Sequence, residues 1–201
     1  DIPLGAGMGS SAATVAATLR AVAEWFQIPI NDQQLFYLTH QAEQLQHGRS
    51  SGIDPAVCCH GGLIHFHQGE ITPESLTLGN GWYLLDSGRP AVTTGVGVEQ
   101  VRQRHGNSDI WSKFATVTNE LHQALKQSDQ QQLLALIRRN HRLLCRIGVV
   151  PDRVQQLIAE IERSGGAAKV SGAGAVRGDS AGLVLGYHPS MTDAVFTKGM
   201  D

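Results

Sequence analysis

A chain of 201 residues is long enough to bury the core of one or two domains, and 41% hydrophobic with 17% charged residues is ordinary for a globular protein. Sixteen Lys+Arg against eighteen Asp+Glu leave a formal net charge of −2, which argues against nucleic-acid binding by bulk charge. No apolar run approaches the roughly 18 residues of a membrane span, and no basic-then-apolar stretch opens the chain. The three cysteines, Cys58, Cys59 and Cys145, are odd in number with two adjacent. They do not make a disulfide framework, so a cytoplasmic setting is expected.

The chain opens at Asp1 with a glycine loop almost at once, where a strand normally comes first. The expectation is a chain cut short on its N-terminal side, with an unfinished element at Asp201. An Ala-rich helix follows the loop, with Val15, Leu19, Val22 and Phe26 on one face. Asn31 or Asp32 can cap a second helix whose apolar stripe is Leu35, Leu38, Ala42 and Leu45. A polar loop from His47 to Gly52 leads to Ile53-Asp54-Pro55. Leu63 to His67 alternates as a strand, with a turn at Gln68-Gly69 and a short return strand.

Trp82 to Asp86 reads as a strand broken by Ser87-Gly88. Helices are expected over about 109–127 and 129–147, with Ile110, Phe114, Val117, Leu121 and Leu125 inward on the first and Leu134, Ile137 and Leu144 on the second. A third starts at Pro151, carries Val154, Leu157, Ile158 and Ile161, and stops at Gly165-Gly166. Ala167 to Val170 and Leu183 to Tyr187 read as strands, and a final helix is expected near Ser190. The alternation indicates a mixed α/β (α+β) fold. The weakest stretch lies at about 70–80, which divides the chain into domains 1–75 and 76–201.

Gly5-Ala6-Gly7-Met8-Gly9-Ser10-Ser11, running into a helix, has the make-up of an anion site. Glycines let backbone approach a phosphate, and the helix start offers unpaired N–H groups. A Gly-rich turn with serine caps is the plainer account. A P-loop is excluded because Met8-Gly9 precedes Ser10 and no lysine is present. A dinucleotide fingerprint is excluded because it needs glycine at Ser10, and Glu24 lies inside a helix. Glu43 and Asp54, eleven positions apart across a helix end and a turn, can point at one cleft. Phosphoryl transfer uses such carboxylates, one for Mg²⁺ and one for the acceptor hydroxyl. From spacing alone, a solvated helix glutamate and an Asx turn before Pro55 is the favoured account.

Lys169-Val170-Ser171-Gly172-Ala173-Gly174 is a second strand feeding a glycine loop. Here a resemblance emerges. Pro3 to Ala13 resembles the second signature motif of the GHMP kinases, the family of galactokinase, homoserine kinase, mevalonate kinase and phosphomevalonate kinase. Lys169 to Gly174, continued by Gly178-Asp179, resembles their third motif, with Ala175-Val176-Arg177 where glycines are common. Ser51 to Pro55 resembles the segment carrying the catalytic aspartate. The run from His47 to Asp54, Asp86-Ser87-Gly88 with Thr93-Thr94-Gly95 and Val98, and Asn140-His141 through Gly148-Val149 are most similar to the mevalonate kinase branch.

The resemblance implies an S5-like N-terminal domain, present in part, and a ferredoxin-like C-terminal domain. It implies that the loop from Gly5 to Ser11 and the loop from Ser171 through Gly172 and Ala173 to Gly174 bind ATP. It further implies that Ser10 and Glu43 hold Mg²⁺, that Asp54 is catalytic, and that Asp54 and Thr94 contact the acceptor, mevalonate or a similar alcohol. The family's first motif, which carries a lysine, has no counterpart here. Another GHMP kinase and a catalytically silent ATP-binding module are the alternatives, and a homodimer is compatible with the reading.

Other residues invite sharper readings. Cys58, Cys59, His60, His65 and His67 lack the spacing of a zinc site and read as core thiols and a half-exposed strand. Lys169 suits phosphate or solvent equally. His141 reads as packed, and Arg138-Arg139 as a solvated helix face.

Overall fold

The computed structural model describes residues 7–47, 50–67, 69–172, 174–192 and 195–198. Gly5, Ala6 and Ala173, expected in the ATP site, lie outside them. Two compact units are present: residues 8–77, and residue 7 with residues 78–198.

The first unit carries α1 (Ser10–Trp25), α2 (Asp32–His47), α3 (Ile53–His60) and an antiparallel hairpin of β1 (Leu63–His67) and β2 (Glu70–Glu74). Asn31 starts α2 through a reciprocal cap. The Gln34 N–H donates to Asn31 Oδ1 at 2.8 Å, and the Asn31 N–H donates to Gln34 Oε1 at 3.0 Å. The inward faces differ in part from the expected ones. On α1 the buried residues are Ala12, Ala16 and Ala23, while Val22 and Phe26 are exposed, Phe26 to 65%. On α2 they are Leu35, Thr39 and Glu43, while Leu38 and Leu45 are exposed, Leu45 to 89%. Leu19 and Leu35 do point inward as expected, Leu35 fully buried against Ala16 and Cys59 with Leu19 and Phe36 packed on that cluster, while small alanines fill the rest of the α1 face and leave Val22, Leu38 and Leu45 outward.

α3 was not expected from the sequence. Its first turn holds Pro55, whose missing N–H costs nothing there, and Asp54, whose charge suits a helix start. Gly52 at φ 85° turns the chain in, and the Arg20 guanidinium of α1 donates to the Cys59 carbonyl at 2.9 Å at the other end.

The second unit contains β3 (Trp82–Asp86), α4 (Thr94–His105), α5 (Ile110–Gln127), α6 (Gln130–Arg146), α7 (Asp152–Arg163), β4 (Ala167–Val170), β5 (Leu183–Tyr187) and β6 (Val195–Lys198). Its sheet runs β4-β5-β3-β6, with β5 antiparallel to both β4 and β3. The mixed α/β expectation holds; the strand order matches a ferredoxin-like sheet, but β6 runs parallel to β3, where the last strand of that fold is antiparallel to the first. Val117, Ile137, Val154, Ile158, Val170 and Val184 form its core. The expected helix near Ser190 is replaced by β6. After Tyr187 the chain reverses and pairs parallel with the free edge of β3, from Tyr83↔Val195 to Asp86↔Lys198. Val195, Phe196 and Thr197 suit a strand, and pairing satisfies an edge that a helix would leave open.

α4 was also unexpected, because Gly95 and Gly97 each weaken a helix by about 1 kcal/mol. Arg138 corrects a further expectation. It is half-buried, and its guanidinium donates to the Gly166 carbonyl at 2.6 and 3.2 Å, tying α6 to the turn before β4. Arg139 does face solvent, paired with Glu120 at 3.0 Å.

Candidate active site

The start of α1 organises the first unit's polar centre. Gly9, at φ 64° in the left-handed region, is its N-cap, and its carbonyl accepts from the Ala13 N–H at 2.9 Å. The helix opening presents the backbone N–H groups that the loop's sequence promised. No acidic side chain of α1 itself occupies the first turn.

Two carboxylates approach this opening. Glu43 is buried on the face of α2 that packs inward, and Ser11 Oγ donates to its Oε1 at 2.6 Å. Ser11 also reaches Gln46 Oε1 at 3.2 Å. Asp54, in the first turn of α3, lies directly against Gly9. Burial, and then the nearby charge of Glu43, push the Asp54 carboxyl above its ordinary pKa. Cys58 is part of the same lining, its Sγ 4.0 Å from the Gly9 carbonyl. Gly9, Ser11, Glu43 and Asp54 therefore form one cluster. Ser10, the expected partner of Glu43, is half-buried at the first helical position. Successive helical residues are rotated by about 100°, so adjacency in sequence could not tell which of the two serines faces α2.

The second unit carries the other expected residues. Ser171 leaves β4 with its N–H donating to the Leu183 carbonyl at 2.8 Å. Gly172, at φ 105°, packs on Gly7, whose carbonyl oxygen would stand 3.1 Å from a Cβ placed there. Gly174, at φ 66°, backs onto the Val149 carbonyl so closely that a side chain would collide with it. Thr94 is exposed as the first residue of α4. Lys169 is half-buried in β4, and burial pushes its ammonium pKa down. His141 is packed in the core, and burial lowers its pKa.

The remaining cysteines and histidines have local partners. Cys59 is buried 3.7 Å from Thr39 Oγ1, His60 packs on Phe36, and the rings of His65 and His67 stack along β1. No sequence signal marked His40 or Arg20, which bind the two ends of α3 from α2 and α1.

Residues 1–62 match the model of the GHMP kinases N terminal domain, and residues 121–176 match that of the GHMP kinases C terminal. The chain belongs to the GHMP kinase family. The cluster at Gly9 lies within the first matched segment, and the Ser171–Gly174 loop within the second. This GHMP kinase chain is 32% identical over 178 residues to a mevalonate kinase of Archaeoglobus fulgidus, a match covering 87% of this chain and 60% of that protein. It thus spans about three fifths of that relative's length. Two crystal structures share its fold. The L. major mevalonate kinase in complex with R-mevalonate matches with a TM-score of 0.75 at 24% identity, over 90% of this chain and 57% of that one. The Streptococcus pneumoniae phosphomevalonate kinase in complex with phosphomevalonate and AMPPNP matches with a TM-score of 0.77 at 19% identity, over 94% and 62%. No helix among the described residues is long and apolar enough to cross a membrane.

Proposed function

We propose that the protein is an ATP-dependent small-molecule kinase that transfers a γ-phosphoryl group to a hydroxyl, with mevalonate as acceptor and 5-phosphomevalonate as product. The observation that carries this is Asp54 lying against Gly9 at the opening of α1, with Glu43 bonded to Ser11 beside it. The mevalonate kinase relative supports the acceptor. Fold does not, because a phosphomevalonate kinase shares it equally well. Three free thiols support a cytoplasmic setting.

In this reading the loop from Gly5 through Met8 to Ser11 cradles the phosphates with backbone N–H groups, and the loop from Ser171 to Gly174 is a second ATP-binding element. Glu43 and the hydroxyls of Ser10 and Ser11 offer hard oxygen donors, a set that fits Mg²⁺. When bound, the ion would neutralise phosphate charge. Asp54 faces the acceptor hydroxyl and takes its proton as the oxygen attacks phosphorus; its raised pKa brings it closer to that task. Thr94 contacts the acceptor.

The test is Asp54→Asn in the full-length protein, assayed by ADP release with mevalonate, phosphomevalonate, galactose and homoserine. A loss of about 10²–10⁴ in kcat is expected. Wild-type kcat in the variant would overturn the assignment, and turnover of a different acceptor would replace mevalonate.

A further inference from the structure

His40 is half-buried on α2, one turn before Glu43. Its Nε2 lies 3.2 Å from the Ser50 carbonyl oxygen. Its ring rests on Gly52, where a Cβ would stand 3.2 Å from Cε1 and 3.4 Å from Nδ1. Phe66 Cζ lines the same spot at 3.6 Å. One turn earlier, Phe36 packs on His40 with ring centroids 5.6 Å apart and on His60 at 6.3 Å. Gly52 is the N-cap of α3 and His60 its last residue. A single face of α2 therefore holds both ends of the helix that carries Asp54.

We propose that His40 is a positioning residue that fixes the turn entering α3 and, through it, the orientation of Asp54. This rests on the reading of Asp54 given above. An eight-residue helix has little stability of its own, so its direction is set by what grips its ends. Gly52, at φ 85°, has no side chain with which to hold the turn, and the imidazole supplies that hold from outside. Nε2 also lies 3.2 Å from Gln44 Nε2. A proton on Nε2 is donated to the Ser50 carbonyl, whereas a proton on Nδ1 leaves Nε2 to accept from Gln44. The Nε2–H form is the one that ties the turn to α2.

Four variants of the full-length protein test this: His40→Ala, His40→Asn, His40→Gln and Asp54→Asn. Misplacing a reacting group by an ångström can cost about 10² in rate. His40→Ala is expected to lower kcat about 10- to 100-fold with the KM for ATP within about twofold. His40→Gln, whose amide N–H reaches the Ser50 carbonyl, is expected to recover most of that loss. His40→Asn, too short to reach, is not, and it serves if the alanine variant fails to fold. Hydrogen exchange over residues 50–56 should quicken in the Ala and Asn variants while residues 10–25 stay protected. Wild-type kcat and exchange in the Ala and Asn variants, with Asp54→Asn inactive, would overturn the role of His40. A fully active Asp54→Asn would instead overturn the Asp54 reading, and the exchange data would still report whether His40 holds the turn.

Discussion

Asp54 and Gly9 are in direct contact, so that a methyl group added to Gly9 would stand 3.1 Å from both Cβ and Cγ of Asp54. The glycine is required twice at this position. Its φ of 64° is a left-handed conformation, and its missing side chain is the space Asp54 occupies. Gly9→Ala should therefore cost roughly 1–2 kcal/mol of stability in urea unfolding, from backbone conformation alone. It should also lower kcat by more than that stability loss explains, because Asp54 must move. A variant with normal kcat would mean that the contact does not set the carboxylate.

Stability should depend on pH through Asp54. Its folded pKa is raised by burial and by Glu43, so ionisation is harder in the fold than in the unfolded chain. The resulting penalty is absent below the unfolded pKa. It grows as pH rises through the window up to the folded pKa, and it is complete above that window. Asp54→Asn should raise Tm at neutral pH, and the gain over wild type should vanish toward pH 3. Equal melting curves for the two proteins at pH 7 would refute this.

Mg²⁺ with ATP should stabilise the protein by mass action, about 2.7 kcal/mol at a hundredfold excess over Kd. Glu43→Gln and Ser11→Ala should each reduce the thermal shift produced by added MgCl₂ at fixed ATP. The Ser11 variant also leaves Glu43 without a hydroxyl that it meets at 2.6 Å. A full shift in both variants would remove this pair from metal binding.

Alkylation of the thiols should be slow at pH 7. Burial raises the pKa of Cys58, Cys59 and Cys145, and Cys58 is held up further by Asp54. Labelling by iodoacetamide followed by mass spectrometry should accelerate well above pH 9. Rapid modification of Cys58 at neutral pH would contradict the packing around Gly9.

Strands β3, β4 and β5 were legible because short apolar runs are bounded by glycine and serine around β3 and β4 and by Gly182 and Pro189 around β5. α5, α6 and α7 were legible from their spacing. The failures have physical causes. α4 hid behind Gly95 and Gly97, and α3 is too short to show a period. α1 and α2 bury Leu35 and lean on Leu19, but the rest of their contact is alanine, threonine and glutamate, so counting large apolar side chains found only part of each inward face. β6 forms because β3 offers an open edge, a condition no local window contains. All three members of the cluster, Ser11, Glu43 and Asp54, were named from the sequence, but the pairing was not: Ser10 was set beside Glu43, and it is Ser11 that bonds to it. Spacing and the family resemblance singled out the carboxylates, but only helical rotation brings Ser11 to Glu43.

The sheet of the second unit also bears on synthesis. β3 borders β5 and β6, and Trp82 pairs with Tyr187. A nascent chain therefore carries β3 out of the ribosome with neither neighbour yet translated, and four helices are made in the interval. At 5–20 residues per second, roughly, that strand waits several seconds with both edges open. Translation speed and chaperone supply over this stretch should decide how much chain reaches the native sheet.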